Sequence, residues 1–447
     1  MEINSGDTAW MLAASALVLF MTPGLALFYA GFVRSKNVLG TIMHSFIVMG
    51  LVGVLWVLIG YTLAFGPSEG GIIGNLDFIG MKGVTMEPWV PDAESTIPHE
   101  AFVAFQAMFA IITPALITGA FAERAKFSTF LIFMCAWSLL VYAPVAHWVF
   151  GTGFLSVFAA GDIDALDFAG GTAIHVNAGA AALAAAIMYG KRKGYGSEPM
   201  EPHNVTYIIL GAGILWFGWF GFNAGSAGAA NLQAANAFLV TNTAAAAAAL
   251  AWMFASWALT GKASAIGAAA GAVAGLVAIT PASGFVEPWA SVVIGAVAGV
   301  LCYGACRFRA RSGLDDSLDV VGVHGVGGLW GGVATGLFAT ATVGIEKGTG
   351  FDGLFYGNAD QMVDQVVAIG VVALYSFVVT AVILKVLDLT IGIRLTEADE
   401  ELGMDVTQHG ERGYVFDEPI GVPLRPAVAT PPAAAQAVPR TEPAAGA

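Results

Sequence analysis

The chain has 447 residues, of which 57% are hydrophobic and only 11% are charged, with a formal net charge of −14. Its mean hydropathy is +0.75. Soluble globular domains carry roughly a quarter charged residues, so this composition excludes an ordinary soluble enzyme. The excess of apolar residues also excludes disorder over most of the chain. The negative charges lie in the segments between apolar runs and in the tail, so they do not indicate a cationic partner.

Long apolar runs recur along the chain from near the N-terminus. A membrane-spanning helix needs about 20 mostly apolar residues, and only helices and closed barrels satisfy backbone hydrogen bonds in lipid. The runs are continuous and not alternating, which favours helices over barrel strands. We therefore predict an all-α polytopic membrane protein. Its eleven predicted transmembrane helices lie at 9–32, 42–65, 101–121, 128–149, 169–190, 204–222, 235–258, 264–280, 288–308, 319–342 and 363–389.

Basic residues follow the odd-numbered runs and are scarce after the even-numbered ones. They include Arg34 and Lys36 after the first run, Arg124 and Lys126 after the third, and Lys191, Arg192 and Lys193 after the fifth. Loops rich in Lys and Arg remain in the cytoplasm. This asymmetry predicts a multi-pass protein of the cell (plasma) membrane with its N-terminus outside and its C-terminus in the cytoplasm.

Two histidines lie inside predicted membrane helices, His175 in the fifth and His324 in the tenth. Asp167 precedes His175 by eight residues, and Asp316 precedes His324 by the same interval. Ionisable residues within membrane helices mark functional sites by default. The alternative for each histidine is a hydrogen bond to a neighbouring helix, but the repeated spacing favours a shared site. A metal site would need further ligands at this depth, so we expect no metal, no other cofactor and no enzymatic activity.

The equivalent spacing five helices apart indicates two halves of opposite topology, with a site at the midplane between them. We predict a membrane domain over residues 1–389, in which an inverted five-helix repeat is followed by one extra helix. The repeat units cover about 9–190 and 204–342, and the extra helix covers 363–389. A charged cytoplasmic regulatory tail follows over 390–418, and a disordered Pro/Ala-rich tail over 419–447.

Several segments together resemble the ammonium transporter (Amt/Mep/Rh) family, on its Amt branch. The resemblance covers roughly residues 8–418 and implies eleven helices around a pore in each subunit of a homotrimer. It also implies ammonium or ammonia as the substrate, with methylammonium as a further candidate, and no nucleic-acid partner. The segments are DFAGGTAIH with Asp167 and His175, VGVHGVGG with His324, FYAGFVRSKNVLG, FQAMFA, ERAKFS, WFGFNAGSAG and GLVAITPASG.

The resemblance implies roles for residues at the outer mouth of the pore. Phe109 and Phe222 resemble a stacked pair that gates the mouth, and Ser226 resembles a hydroxyl that accepts a hydrogen bond from the arriving cation. Asp167 resembles an acid that organises this site without touching the substrate. Phe150 occupies a position where many relatives have Trp. This change keeps an aromatic ring but loses the indole N–H and some cation–π strength.

The same resemblance implies that His175 and His324 are paired imidazoles beneath the gate, and that Trp219 and Phe28 line the pore further in. Ammonium is close to potassium in size, so diameter alone cannot separate them. A bare charge at the bilayer centre costs at least about 3 kcal/mol, which ammonium avoids by releasing a proton. We therefore predict that ammonia passes the two histidines, with co-transfer of the proton as an open question.

The segment ADEELGMDVTQHGERGY resembles the cytoplasmic tail of the family. This implies gating by a trimeric PII-type signal protein, with an ordinary solvated tail as the alternative. Two other functions stay open at this point. One is an ammonium sensor with a vestigial pore, and the other is an Rh-like channel for neutral gas. The Amt-like segments WFGFNAGSAG and GLVAITPASG favour ammonium transport.

Overall fold

A computed structural model describes residues 2–88, 95–157, 163–344 and 352–415. Helices occupy all eleven positions predicted from the sequence. They are α1 (Ser5–Phe32), α2 (Ser35–Phe65), α3 (His99–Phe121), α4 (Phe127–Val149), α5 (Gly171–Tyr189), α6 (Val205–Gly225), α7 (Leu232–Thr260), α8 (Ala265–Ile279), α9 (Pro288–Ser312), α10 (Val321–Gly325 continued by Val326–Phe338) and α11 (Asp360–Thr390).

Nine of these helices, all except α8 and α10, are long and apolar enough to cross a bilayer within the described part of the chain. Helix α8 has 15 residues, and α10 begins with a π-helical turn of 5 residues before its α-helical part. The all-α polytopic membrane fold is therefore confirmed, while the count of eleven spans stays a prediction.

Short elements connect and follow the long helices. A two-stranded antiparallel ribbon follows α2 and pairs β1 (Ser68–Glu69) with β2 (Ile73–Gly74). Two short helices follow α11, namely α12 (Glu397–Leu402) and α13 (Met404–His409). The predicted Pro/Ala-rich segment 419–447 lies outside the described residues.

Four helices begin at a side-chain cap that the sequence already contains. Asn4 caps α1, Asn204 caps α6, Asn231 caps α7 and Ser264 caps α8, each by accepting a hydrogen bond from a backbone N–H in the first turn. Asn and Ser are favoured at this position because a short polar side chain satisfies one of the unpaired N–H groups there. These caps fix where the helices begin.

Small residues allow the helices to approach closely. Helix α1 packs along α6, where a Cβ atom on Gly211 would lie 2.4 Å from the backbone nitrogen of Phe28. In the same way, a Cβ on Gly295 of α9 would lie 2.2 Å from the carbonyl oxygen of Ala244 in α7. Membrane helices associate by such close packing because lipid supplies no hydrophobic driving force between them.

Charged residues are buried at one end of the molecule, which we call the basic end. Arg34 contacts Glu123 at 2.7 Å and Arg192 contacts Asp315 at 2.8 Å. Arg124 donates to the carbonyl oxygen of Asp315 at 2.6 Å. The carboxylates of Glu123 and Asp315 are fully buried. This cluster joins the segments that follow α1, α3 and α5 to the segment that precedes α10.

The tail after α11 packs against the basic end. The backbone N–H of Met404 donates to Asn37 Oδ1 at 2.8 Å, and Asp405 Oδ1 accepts from the backbone N–H of Gly40 at 2.9 Å. Lys36 Nζ donates to the carbonyl oxygen of Glu401 at 2.6 Å. The described part of the tail is therefore bound to the first turns of α2 through specific hydrogen bonds.

Candidate functional site

A cavity of about 290 Å³ opens at the end of the molecule opposite the basic end, and we call it the vestibule. Helices α3, α4 and α6 and the segment before α5 contribute its walls. Five of the predicted site residues meet here or at its floor. The lining includes Phe105, Phe109, Phe150, Asp167, Phe168, Ser226 and Phe285.

Two phenylalanines separate the vestibule from the space beneath it. The ring centroids of Phe109 and Phe222 lie 4.5 Å apart, and the ring planes meet at 61°. The resemblance implied a stacked pair, but the rings meet edge to face, an arrangement favoured by the aromatic quadrupole. The ring of Phe150 lies 6.3 Å from that of Phe109. Three aromatic rings therefore stand together at the floor and wall of the vestibule.

Ser226 lies directly after the last residue of α6 and lines the vestibule. Its hydroxyl donates a hydrogen bond to the carbonyl oxygen of Phe222 at 2.9 Å. A hydroxyl whose only hydrogen is already donated can engage a further partner only through its oxygen. The serine oxygen is therefore suited to accept an N–H bond from a ligand in the vestibule.

Asp167 binds the first turn of α5. One carboxylate oxygen accepts from the backbone N–H groups of Gly170 at 2.9 Å and Gly171 at 2.6 Å, and the other accepts from Thr172 and Ala173, each at 2.9 Å. A carboxylate at this place satisfies unpaired N–H groups and faces the positive end of the helix dipole. Asp167 lines the vestibule, and both of its carboxylate oxygens accept hydrogen bonds from the backbone.

His175 and His324 lie directly beneath the aromatic floor, each in a π-helical turn, Gly171–Val176 and Val321–Gly325. Their Nδ1 atoms are 3.2 Å apart, and the rings lie 5.3 Å apart at 23°. Both side chains are buried. Since a neutral imidazole has one donor and one acceptor nitrogen, one ring donates and the other accepts. Single π-helical turns recur at functional sites, and each of these two carries one histidine of the pair.

The space next to the histidines is a narrow apolar constriction of about 10 Å³. A single water needs roughly this volume. The ring of Trp219 lies 5.4 Å from that of His175 at 21°, and its indole N–H donates to Thr280 Oγ1 at 2.9 Å. Besides Trp219, His175 and His324, the constriction is lined only by apolar side chains: Met21, Leu25, Ile112, Leu116, Leu215, Phe222 and Val273.

A second cavity of about 440 Å³ lies on the basic-end side of the constriction, and His324 borders both spaces. Phe28 lines this second cavity with Asp319 and Arg309, so it stands on the far side of the histidine pair from Phe109 and Phe222. The order through the molecule is therefore vestibule, aromatic floor, the constriction with the histidine pair, and basic-end cavity.

The sequence model of the Ammonium Transporter Family matches residues 9–414, which is nearly the whole described chain. The chain belongs to the ammonium transporter family. It is 50% identical over 413 residues to "Ammonium transporter" of Bacillus subtilis, covering 92% of this chain and 99% of that protein. The family consists of membrane transporters and not of enzymes.

Solved structures share this fold. The crystal structure of Candida albicans Mep2 has a TM-score of 0.82 and 37% identity, covering 89% of this chain and 88% of that one. A structure described as "Sensor Amt Protein" has a TM-score of 0.80 and 28% identity, covering 90% of this chain and 98% of that chain. This multi-pass membrane protein therefore shares the fold of solved ammonium transporter family structures.

Some residues of this ammonium transporter family member were not singled out from the sequence. Thr280 lies in the segment GLVAITPASG, but only the tertiary structure brings its hydroxyl to the indole of Trp219. Gly179 lies one turn after His175, but only the tertiary structure shows that it touches Gly325 next to the histidine pair. Gln365 in α11 belongs to no recognised segment and carries no local signal.

Two further histidines of this transporter family member, His147 and His44, contact structural groups outside the constriction. His147 contacts the carbonyl oxygen of Ala64 through Nδ1 and the hydroxyl of Ser68 through Nε2, each at 2.9 Å. His44 packs among phenylalanine rings near the basic end, and the ring of Phe130 is 4.3 Å away. Neither belongs to the lining of the constriction.

Proposed function

We propose that the chain transports ammonium across a membrane. Ammonium is recruited in the vestibule and deprotonated there, and ammonia then crosses the constriction beside His175 and His324. The observation that carries this proposal is the buried, hydrogen-bonded histidine pair, which stands at an apolar constriction between two cavities. Membership of the ammonium transporter family supports the same substrate.

Recruitment rests on the aromatic and polar groups of the vestibule. Ring faces attract a desolvating cation, with an interaction of about 0.5–2 kcal/mol each. The Ser226 oxygen accepts an N–H bond, which potassium and sodium cannot offer. Phe109, Phe222 and Phe150 supply the rings, and Asp167 holds the adjoining backbone in place. The vestibule therefore concentrates ammonium over other monovalent cations.

Deprotonation explains how the constriction can admit ammonium, as ammonia, and still exclude potassium. A charge in this dry apolar space costs at least about 3 kcal/mol. Ammonium can leave its proton behind and enter as ammonia, which the imidazole edges receive through hydrogen bonds. Potassium cannot lose its charge and is rejected. The constriction of about 10 Å³ supports passage of a single small molecule at a time.

In this proposal the His175 imidazole takes up the released proton and His324 gives one up on the basic-end side, while ammonia moves beside the two rings. The Nδ1 atoms of the two imidazoles share one hydrogen bond, so a proton arriving at one ring can be matched by one leaving the other. This relay returns the proton to the ammonia in the basic-end cavity. Net transport then carries charge, which makes it measurable as a current.

Assembly and orientation belong to the same proposal. The protein forms a homotrimer in the plasma membrane, with the vestibule outside and the basic end in the cytoplasm, as the positive-inside rule requires. A PII-type signal protein binds at the cytoplasmic tail. The packing of Met404 and Asp405 on the start of α2 supports a tail that communicates with the membrane domain.

The test uses the purified protein in liposomes on a solid-supported membrane. Currents are recorded after jumps of ammonium, methylammonium or potassium, while the lumenal pH is followed in parallel. We expect an ammonium-specific current that disappears or loses selectivity in the His175→Ala, His324→Ala double variant. An ammonium-dependent pH change without current would support passage of neutral ammonia. A folded protein with neither signal would reject transport and favour a sensor with a vestigial pore.

A further inference from the structure

Helix α11, which follows the predicted repeat, contributes a buried side-chain amide to the segment that precedes α5. Gln365 is only 1% exposed. Its Oε1 atom accepts from the backbone N–H of Leu166 at 2.6 Å, and its Nε2 donates to the carbonyl oxygen of the same residue at 2.8 Å. Nε2 also donates to the carbonyl oxygen of Gly332 in α10 at 3.3 Å. One amide thereby joins three elements.

This contact lies immediately beside the vestibule carboxylate. Leu166 is the residue before Asp167. Gln365 hydrogen-bonds both the backbone N–H and the backbone carbonyl of Leu166, as a neighbouring β-strand would. On the other side of Asp167, the backbone N–H of Phe168 donates to the carbonyl oxygen of Pro281 at 3.0 Å. Asp167 is therefore held between two residues with fixed backbones, Leu166 bound to α11 and Phe168 bound to the segment that follows α8.

The position of this segment matters because of what Asp167 binds. Its oxygens hold the backbone N–H groups from Gly170 to Ala173, and His175 follows two residues later in the same turn. A displacement of Leu166 would move the vestibule wall and the first turn of α5 together. Catalytic and binding geometry is sensitive to such displacements, since a misplacement of about 1 Å can cost about 100-fold.

We propose that Gln365 is a positioning residue for ammonium recognition, which acts through Leu166 on Asp167 and hence on the vestibule. The inference rests on the proposed transport function. It gives α11, which contributes no residue to the constriction, a specific part in substrate recruitment. Its neighbour Gln361 is the graded comparison: its Nε2 donates to the carbonyl oxygen of Asp164 at 2.9 Å, three residues before Asp167, and reaches Gln365 Oε1 only at 3.4 Å.

The first test compares Gln365→Leu with Gln361→Leu in the reconstituted protein. Leucine fills the space but cannot bind the Leu166 backbone. We expect the ammonium concentration for half-maximal current to rise roughly tenfold in Gln365→Leu, with the maximal current changed much less, and a smaller rise in Gln361→Leu. An unchanged half-saturation concentration, or a loss confined to the maximal current, would overturn the inference.

The second test uses Gln365→Glu, because a protonated carboxyl can accept from the Leu166 N–H and donate to its carbonyl oxygen, whereas an ionised one cannot donate. The half-saturation concentration is measured relative to wild type from about pH 8 to about pH 5. We expect Gln365→Glu to approach wild type at the acidic end, where Gln365→Leu does not recover. The proposal would be contradicted if the half-saturation concentration of Gln365→Glu equalled that of Gln365→Leu at every pH.

The wild-type recording separates this inference from the function on which it rests. A wild type without any ammonium-dependent signal rejects the transport proposal. A wild type that transports, with an unaltered half-saturation in Gln365→Leu, rejects only the role of Gln365. Hydrogen exchange at the amides of residues 170–173 supplies a readout without transport, and we expect faster exchange in Gln365→Leu.

Discussion

A Cβ atom added to Gly179 would lie 2.3 Å from the Cα atom of Gly325, so α5 and α10 touch backbone to backbone. Gly179 follows His175 by one helical turn, and Gly325 is the residue after His324. The absence of a side chain at this crossing brings the two imidazoles within hydrogen-bonding distance. The glycine contact therefore sets the geometry of the histidine pair.

Gly179→Ala is expected to separate the two helices and to abolish most ammonium-specific current. Overpacking of this kind costs about 1–3 kcal/mol or more. Gly325→Ala is the matched control across the same contact, because its Cβ would meet nothing closer than 3.6 Å. Reconstituted currents and thermal unfolding in detergent check both variants. Equal behaviour of the two would show that the crossing does not control the pair.

Thr280→Val is expected to weaken selectivity for ammonium over potassium. The valine matches threonine in shape but leaves the indole N–H of Trp219 without its acceptor, at a cost of about 1–3 kcal/mol. The indole then loses its fixed position over His175, and water can enter the constriction. The ratio of ammonium to potassium currents is the measurement. Thr280→Ser keeps the hydroxyl and should retain the ratio, and a valine variant with wild-type selectivity would exclude this role.

Phe150→Trp is expected to lower the half-saturation concentration for ammonium by about two- to fivefold, since Trp is the strongest aromatic partner of a cation. Phe150 lines the vestibule, so its side chain can face the recruited ion. Phe150→Leu, which removes the ring, should shift the value in the opposite direction. Concentration series of the transport current measure both shifts. Identical values in all three proteins would place Phe150 outside the recruitment site.

The buried ion cluster at the basic end predicts a pH dependence of stability. Burial alone would raise the pKa of Glu123, but Arg192 and Arg34 outweigh it and hold that pKa below its ordinary value of 4.5. A lowered pKa in the folded state stabilises the fold at pH values above the ordinary pKa of the carboxyl group. This stabilisation is lost as the pH falls from about 4.5 through the lowered pKa. Thermal unfolding at decreasing pH should therefore show an acid-sensitive loss.

Glu123→Gln should remove this loss and lower stability near neutral pH by about 3–5 kcal/mol, because it leaves buried arginines without their partner. Glu198→Gln is the matched control. Glu198 lies 3.9 Å from Arg34 but is 63% exposed, so its substitution should change little. If both variants unfold alike at every pH, the buried carboxylate does not carry the effect.

Gly403→Ala is expected to release the tail from the basic end. Gly403 has φ 101°, and a Cβ there would lie 2.5 Å from the carbonyl oxygen of Lys36. Gly410→Ala is the control, because it has a positive φ of 68° but open space around the added atom. Limited proteolysis of the tail measures docking. A tail equally resistant in both variants would contradict a docking role for Gly403.

Much of the fold followed from local properties of the sequence. Continuous apolar runs predicted the helices, and Asn4, Asn204, Asn231 and Ser264 supplied caps where helices begin. The recurrence of Asp and His at one spacing predicted a shared site for His175 and His324, whose Nδ1 atoms lie 3.2 Å apart. The helix predictions held because a helix in lipid satisfies its backbone hydrogen bonds between residues that lie close together in the chain.

The sequence by itself determined the class of protein, the positions of its helices and the residues on which transport is proposed to depend. Only the tertiary structure decided how these residues meet: the edge-to-face contact of Phe109 with Phe222, the approach of Gly179 to Gly325, and the hold of Gln365 on Leu166. Such contacts join residues far apart in the chain. Their geometry depends on how whole helices pack, which no local pattern encodes.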